Sequence, residues 1–292
     1  MYPAGFDYTA PSTVDETLAI LAQRGEDAKV LAGGQSLIPL MKLRFAQPPM
    51  IVDINRLPGL DFIDASNGYL RVGALVRHND VVASDVVRRT NHTVAHAAPW
   101  VSDPLVRNLG TVCGSLAHAD PQGDWASVML ACNGEVVASK SSGERVIPMA
   151  EFITGVFTTQ LEPDELVTEV RVPKYDGPSG GTYLKLERKV GDYATVGVAI
   201  HLTLGSDRRI AQAGIGLTAV GSTNIKAVDA EQSLVGAEPT AEAFAEAGRR
   251  AALAADPRDD VRGSADYKRH VVDVFVQRGL ATATELATAS AA

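Results

Sequence analysis

The sequence predicts an α+β fold, and three observations carry that prediction. A capped helix and two short apolar strands open the chain. A Pro- and Gly-rich break falls at Lys174–Gly181. After the break, three alternating runs precede three helical stretches, the order of a sheet with helices on one face. Each element has a local reason. Thr13-Val14-Asp15-Glu16 is a capping box, and Leu18, Leu21 and Ala22 recur at helical spacing up to about Gly25. Lys29-Val30-Leu31 and Met50-Ile51-Val52-Asp53-Ile54 read as strands, with a short helix over Ser36–Met41 that tolerates Pro39 in its first turn. The first fifty-odd residues therefore form a small αβ unit.

Tyr69–Ala74 is strand-like. Asp120-Pro121-Gln122-Gly123-Asp124 opens an apolar helix, Trp125–Cys132. Glu135–Ser139 and Glu144–Pro148 flank Ser141-Ser142-Gly143, a hairpin signal, and Leu166–Val172 alternates as a strand. Beyond the break, strands are expected over Thr182–Lys189, Val196–Leu204 and Ala211–Val220. Helices are expected near Ile225–Leu234, Ala241–Ala254 and Ala265–Leu280, with a frayed Ala- and Thr-rich tail from Ala281.

The chain has 292 residues, 46% of them hydrophobic, enough for one large or two modest domains. A formal charge of −8 argues against nucleic acid, whose phosphates need a basic surface. No apolar run reaches the length of about 18 residues that a membrane-spanning helix needs, and no signal peptide is read at the N-terminus. Cys113 and Cys132 form no C-x-x-C pair, so neither an iron–sulfur cluster nor a structural zinc is expected on this chain. The setting this suggests is cytoplasmic and reducing. His92 and His96 share a helical spacing but have no third ligand near them, and no metal site is expected.

Two glycine-bearing segments are the candidate site: Ala32-Gly33-Gly34-Gln35-Ser36 and Thr111-Val112-Cys113-Gly114-Ser115. Glycine lets backbone turn tightly and approach a ligand, and successive N–H groups in such a turn make an anion site. Neither segment contains Lys or Arg, so backbone dipoles and small hydroxyls would hold any anion, such as a pyrophosphate gripped from both sides. A plain turn explains a single Gly-Gly equally well, and neither a G-x-G-x-x-G fingerprint nor a Walker phosphate loop is present.

With these segments stand Asp120-Pro121-x-x-Asp124, Arg188-Lys189-x-x-x-Tyr193-Ala194, Val52-Asp53-Ile54, Val72-Gly73-Ala74, Val106–Thr111 and Glu165–Thr168. On these blocks the chain resembles, from about Phe6 to about Gly279, the FAD-binding medium subunits of the molybdenum hydroxylases, most of all those of aerobic carbon monoxide dehydrogenases. The resemblance implies a PCMH-type FAD domain over residues 1–175, with subdomains of about 1–55 and 56–175. A C-terminal domain over 181–285, a three-stranded antiparallel sheet with a three-helix bundle, would follow. It implies an electron-transfer subunit that passes electrons from a [2Fe-2S] subunit through FAD to an acceptor such as a quinone. The molybdenum cofactor would sit on a large subunit, and the assembly would be a dimer of heterotrimers, cytoplasmic or peripheral at the inner face of the membrane. Related trimers act on N-heterocycles or aldehydes, and a free-standing flavin oxidase is the contrasting reading.

Residue by residue, the resemblance implies that Ala32, Gly33, Gly34, Gln35, Ser36 and Leu37, with Thr111, Cys113, Gly114 and Ser115, hold the pyrophosphate and ribityl region. His118 would touch the cofactor, and Asp124 would accept from ribityl hydroxyls. Leu166 and Val167 would lie near the adenine, Lys185 would reach the flavin, and Tyr193 would pack on the isoalloxazine. A flavin does its own chemistry, so no acid–base dyad or nucleophile is expected. Read from the residues alone, Asp124 complements a helix dipole, Tyr193 is a core or loop aromatic, and Lys185 lies on a solvated strand face. Gln35 cannot form a covalent flavin link, which points to non-covalent FAD. Cys113 replaces a glycine of the family pattern, where a positive φ would be costly.

Overall fold

The computed structural model describes residues 2–290. The first layer is a three-stranded parallel sheet in which Met50–Asp53 lies between Asp7–Thr9 and Ala28–Leu31. The helix Val14–Arg24 connects two of these strands and buries Leu18 and Leu21. Thr13 is its N-cap as predicted, and only the return bond of the box shifts by one residue. Thr13 Oγ1 accepts from Glu16 N, while the Glu16 carboxylate accepts from the N–H and hydroxyl of Ser12.

The second layer is a five-stranded antiparallel sheet in the order 63–64, 69–73, 166–173, 135–140, 143–148. The predicted hairpin is its outer pair, joined at Lys140–Gly143. Between strands 69–73 and 135–140 the chain makes a run of short helices that ends in Asp124–Ala131. One continuous apolar core, including Leu21, Val52, Leu70, Leu116 and Phe152, joins both layers.

The third layer is an antiparallel sheet of Ser179–Leu186, Val196–Leu204 and Ile210–Thr218. The predicted helix near Ile225–Leu234 begins later, at Val228. Ile225–Lys226 instead forms a two-residue fourth strand on Ile210–Thr218. Both faces of this sheet are covered, so all nine residues of Val196–Leu204 are buried rather than alternating with solvent. The helix Ala265–Ser290 lies on Ser179–Leu186 and Val196–Leu204, Val228–Leu234 lies on Ile210–Thr218, and Ala241–Ala254 packs across these two helices. The tail predicted to fray is helical to Ser290, because Ala283 and Ala287 are buried against the sheet.

The opposite face takes the helix Asp124–Ala131, every residue of which is buried. The strand beneath it has no side chain at Gly216, where a Cβ would fall 1.9 Å from Ser127 O. This close approach fixes the helix between the central layer and the C-terminal sheet and places its N-terminal residue, Asp124, at the seam.

Candidate functional site

At that seam lies an open cleft with two walls of different make. The first wall is backbone. The strand Ala28–Leu31 ends in the Gly33-Gly34 turn, with Gly34 at φ +69°. A Cβ on Gly33 would fall 2.4 Å from Leu109 O and 2.7 Å from Gly110 Cα. Gly33 therefore serves first to let the two glycine-bearing segments close on one another, before any ligand is considered. Among the described residues, the N–H groups of Gly33, Gly34, Gln35 and Ser36 donate to no protein acceptor. Gln35 folds back, its amide donating to Gly33 O at 3.2 Å.

The second segment, expected as a loop, is the start of a helix, Val112–His118. Thr111 is its N-cap. Its hydroxyl accepts from Gly114 N at 3.1 Å, and its carbonyl accepts from Ser115 N at 3.0 Å. Cys113 is thus helical and needs no positive φ, which removes the conflict its identity posed. Its thiol is buried 3.7 Å from Val72 O, with its pKa pushed up by burial.

The second wall is made of side chains from distant segments. The Asp124 carboxylate accepts from Tyr183 Oη at 2.6 Å and from Lys185 Nζ at 2.9 Å. Lys185 also donates to Trp100 O at 2.9 Å and lies 3.7 Å from Glu187. Lys185, read as solvated, is buried with its side chain 1% exposed. Burial raises the Asp124 pKa, opposed by Lys185 and Tyr183. An ion pair this dry is held by its satisfied hydrogen bonds, and removal of either partner would strand a charge.

Tyr193 stands half-exposed at the mouth, on a loop fixed from three sides. Gly191, at φ +83°, packs on Asp103. Asp192 accepts from Arg188 at 3.0 Å and pairs with Arg262 at 3.1 Å, and Arg262 also donates to Tyr193 O at 2.8 Å. These arginines hold the Asp192 carboxyl well below its usual range.

The cleft brings together Gly33, Gly34, Gln35, Ser36, Thr111, Gly114, Ser115, His118, Asp124, Lys185 and Tyr193 of the predicted residues. Ala32, Leu37, Cys113, Leu166 and Val167 do not line it. Ala32 O accepts from Asn55, and Leu166 and Val167 are buried in the strand 166–173. His118 stacks on Phe157, ring centroids 5.0 Å apart. Sequence reasoning missed His78, Ser102, Asp120 and the Arg262 clamp. The clamp had no signal, since it crosses seventy residues; the Asp120-Pro121 start of the helix was a signal for Asp120.

Free backbone donors on one wall and a buried acceptor–donor pair on the other suit a long, polar, anionic molecule with hydroxyls and an aromatic end, as FAD is. Among the described residues no group of three or more His, Cys, Asp or Glu could hold a metal ion, and no helix is long and apolar enough to cross a membrane.

Residues 4–175 match the family of the FAD binding domain in molybdopterin dehydrogenase, and residues 181–283 match the CO dehydrogenase flavoprotein C-terminal domain. The carbon monoxide dehydrogenase medium chain of Hydrogenophaga pseudoflava is 39% identical over 280 residues, 96% of this chain and 97% of its own. The 6-hydroxypseudooxynicotine dehydrogenase complex subunit alpha of Paenarthrobacter nicotinovorans is 38% identical over 97% of this chain and 96% of its own. Among solved structures, carbon monoxide dehydrogenase from Hydrogenophaga pseudoflava lacking the Mo-pyranopterin moiety superposes with a TM-score of 0.93 at 40% identity, each chain covered fully. Quinoline 2-oxidoreductase from Pseudomonas putida 86 gives 0.90 at 30% identity, again with each chain covered fully. The chain belongs to the FAD-binding family of molybdopterin dehydrogenases, and it is an oxidoreductase subunit.

Proposed function

We propose that this member of the family is the electron-transfer medium subunit of an aerobic carbon monoxide dehydrogenase, placed between a [2Fe-2S] subunit and an external acceptor such as a quinone. The observation that carries the reading is the convergence of two glycine-bearing segments and a buried Asp124–Lys185 pair on one cleft. Residues 1–175 would form the FAD domain and 181–285 the second domain, as the two family matches support. When bound, FAD supplies exchange between two-electron and one-electron chemistry.

The chain's own residues bind and orient. The N–H groups of Gly33–Ser36 and the Thr111-capped helix start take the pyrophosphate region. Asp124 accepts from ribityl hydroxyls with the lone pairs that Tyr183 and Lys185 leave free. Tyr193 covers the isoalloxazine. Gln35 makes no covalent bond, so acid precipitation should release all flavin to the supernatant; yellow colour left on the pellet would contradict this.

The molybdenum cofactor and [2Fe-2S] clusters belong to partners in this reading, with two trimers related by two-fold symmetry. A soluble complex touching the inner membrane face would bring the subunit to a quinone. Purification with two further subunits of an iron–sulfur and a molybdenum type tests it. Substrate-driven bleaching of flavin on the isolated chain would favour a free-standing oxidase. The near-equal match to the 6-hydroxypseudooxynicotine dehydrogenase complex subunit alpha keeps a related hydroxylase, acting on N-heterocycles or aldehydes, as the second reading. The identity of the large partner decides between them.

A further inference from the structure

We propose that His78 is a binding residue of the cleft, a neutral imidazole locked as the Nε2–H tautomer so that it donates one hydrogen bond to the bound cofactor. The inference rests on the FAD reading of the cleft. The locking partner is Trp125, whose indole N–H donates to His78 Nδ1 at 3.1 Å. An indole nitrogen can only donate, so Nδ1 must be the bare acceptor and the proton must sit on Nε2.

That Nε2–H meets no protein acceptor among the described residues, yet it is not one of the sealed, unpartnered buried atoms. It opens on the cleft, which His78 lines between Gly110 and the Thr111 cap. Gly110 has no room for a side chain there, since a Cβ would come 2.8 Å from Nε2. The ring is otherwise fixed: the residue is 4% exposed, and its own N–H donates to Gly110 O at 3.0 Å. Burial and the neighbouring Arg77 and Arg107 depress its pKa to about 4, so near neutral pH the ring stays an uncharged donor. The other deeply buried histidine, His201, has its Nε2 sealed in the core without a partner. His78 presents a directed donor where the backbone wall turns into the cleft.

Two variants separate binding from packing. Asn at this position puts an amide oxygen where Nδ1 stands and keeps an acceptor for Trp125, but it reaches no farther. Gln reaches the Nε2 region with an N–H but loses the Trp125 acceptor. The complex carrying this chain is purified, stripped of flavin and titrated with FAD, and the melting temperature of each stripped sample is recorded.

His78→Asn should keep a near-wild-type melting temperature and bind FAD roughly ten-fold more weakly, the loss of about one hydrogen bond. His78→Gln should melt lower yet hold FAD within about three-fold of wild type. Wild-type affinity in His78→Asn, or FAD losses in both variants that simply track their melting temperatures, would overturn the role. A stripped wild type that takes up no FAD at all would instead overturn the cofactor reading beneath it.

Discussion

The two walls of the cleft reach similar ends by opposite means. The Gly33–Ser36 turn offers free backbone N–H groups, the Thr111 cap takes up those of Gly114 and Ser115, and both segments owe their close approach to absent side chains. The Asp124–Lys185–Tyr183 group offers charge and hydroxyl, and owes its shape to three side chains carried on two elements that meet only in the folded chain. A backbone wall of this kind is uncharged and insensitive to pH, and it needs only the two glycine-bearing segments to meet. A side-chain wall needs the C-terminal sheet docked on the helix Asp124–Ala131 before it exists. The first wall needs the N-terminal segments alone; the second makes the site conditional on the whole fold.

The sharpest way to break this distinction is Lys185→Met. It leaves Asp124 buried beside Glu187 without a cation, a change that typically costs 3–5 kcal/mol, roughly, in a dry pair. We expect the stability loss in chemical denaturation, and loss of flavin with it. Asp124→Asn with Lys185→Met should recover part of that loss, because only the Glu187 carboxylate is then left without its cation. If Lys185→Met alone melts like wild type, the second wall is not held by this pair.

A second test uses acid, which should act on the histidines and leave the backbone wall's own donors untouched. His78 is held neutral with its pKa lowered to about 4 from an unfolded value of about 6.5. The unfolded chain therefore binds the proton first. Stability is full above about pH 6.5 and falls as pH drops toward 4, by about 3 kcal/mol from this group. His201, buried and lowered to about 3, acts with the same sign. Urea unfolding of wild type and His78→Asn between pH 7 and 4 should show a flatter acid limb in the variant. Equal limbs would mean that His78 is protonated in the folded chain.

How much of this was legible follows the same division. Gly33-Gly34 after a strand and Thr111 three residues before Gly114 are local signals, and they marked the first wall directly. The period-2 run Thr182–Lys189 gave the strand but the wrong face for Lys185. Alternation cannot tell solvent from a covering helix, and the helix Asp124–Ala131 arrives from sixty residues upstream. The same covering explains why Val196–Leu204 is buried throughout and why the alanine-rich tail stays helical. The resemblance implied Asp124 and Tyr193 as site residues, and both line the cleft. It could not supply Arg262, which fixes the Tyr193 loop from the far end of the C-terminal half, nor the Trp125–His78 pair.

A smaller effect on folding, with a large one on binding, is expected from Gly33→Val. The clash is with Leu109 O and Gly110 Cα, both backbone, so neither can swing aside. Overpacking of this kind costs roughly 1–3 kcal/mol. The two glycine-bearing segments must part, and FAD should no longer bind, while far-UV circular dichroism stays near wild type. Gly34→Ala should be milder. It is strained by about 1–2 kcal/mol at φ +69°, and its clash is with the movable Ile38 side chain. Equal flavin content in Gly33→Val and wild type would show that the joint between the segments does not shape the site.

The smallest effect belongs to Cys113, where the resemblance implies a glycine. Were the wall a pair of glycine turns, cysteine there would be strained, and Cys113→Gly would stabilise the fold and tighten FAD. The helix from Val112 to His118 reverses that expectation. Cys113 is an ordinary helical residue whose thiol fills core space beside Val72, and glycine in its place would lose that burial and loosen the first turn. We expect Cys113→Gly to cost about 1 kcal/mol or slightly more, and Cys113→Ala less, with FAD affinity unchanged within about two-fold in both, since the thiol faces away from the cleft. The raised pKa and burial of the thiol also predict no alkylation by iodoacetamide in the native chain at neutral pH and full alkylation on unfolding. A stabilised Cys113→Gly variant would return the second segment to the status of a turn like the first, and the two halves of the backbone wall would then be one device used twice.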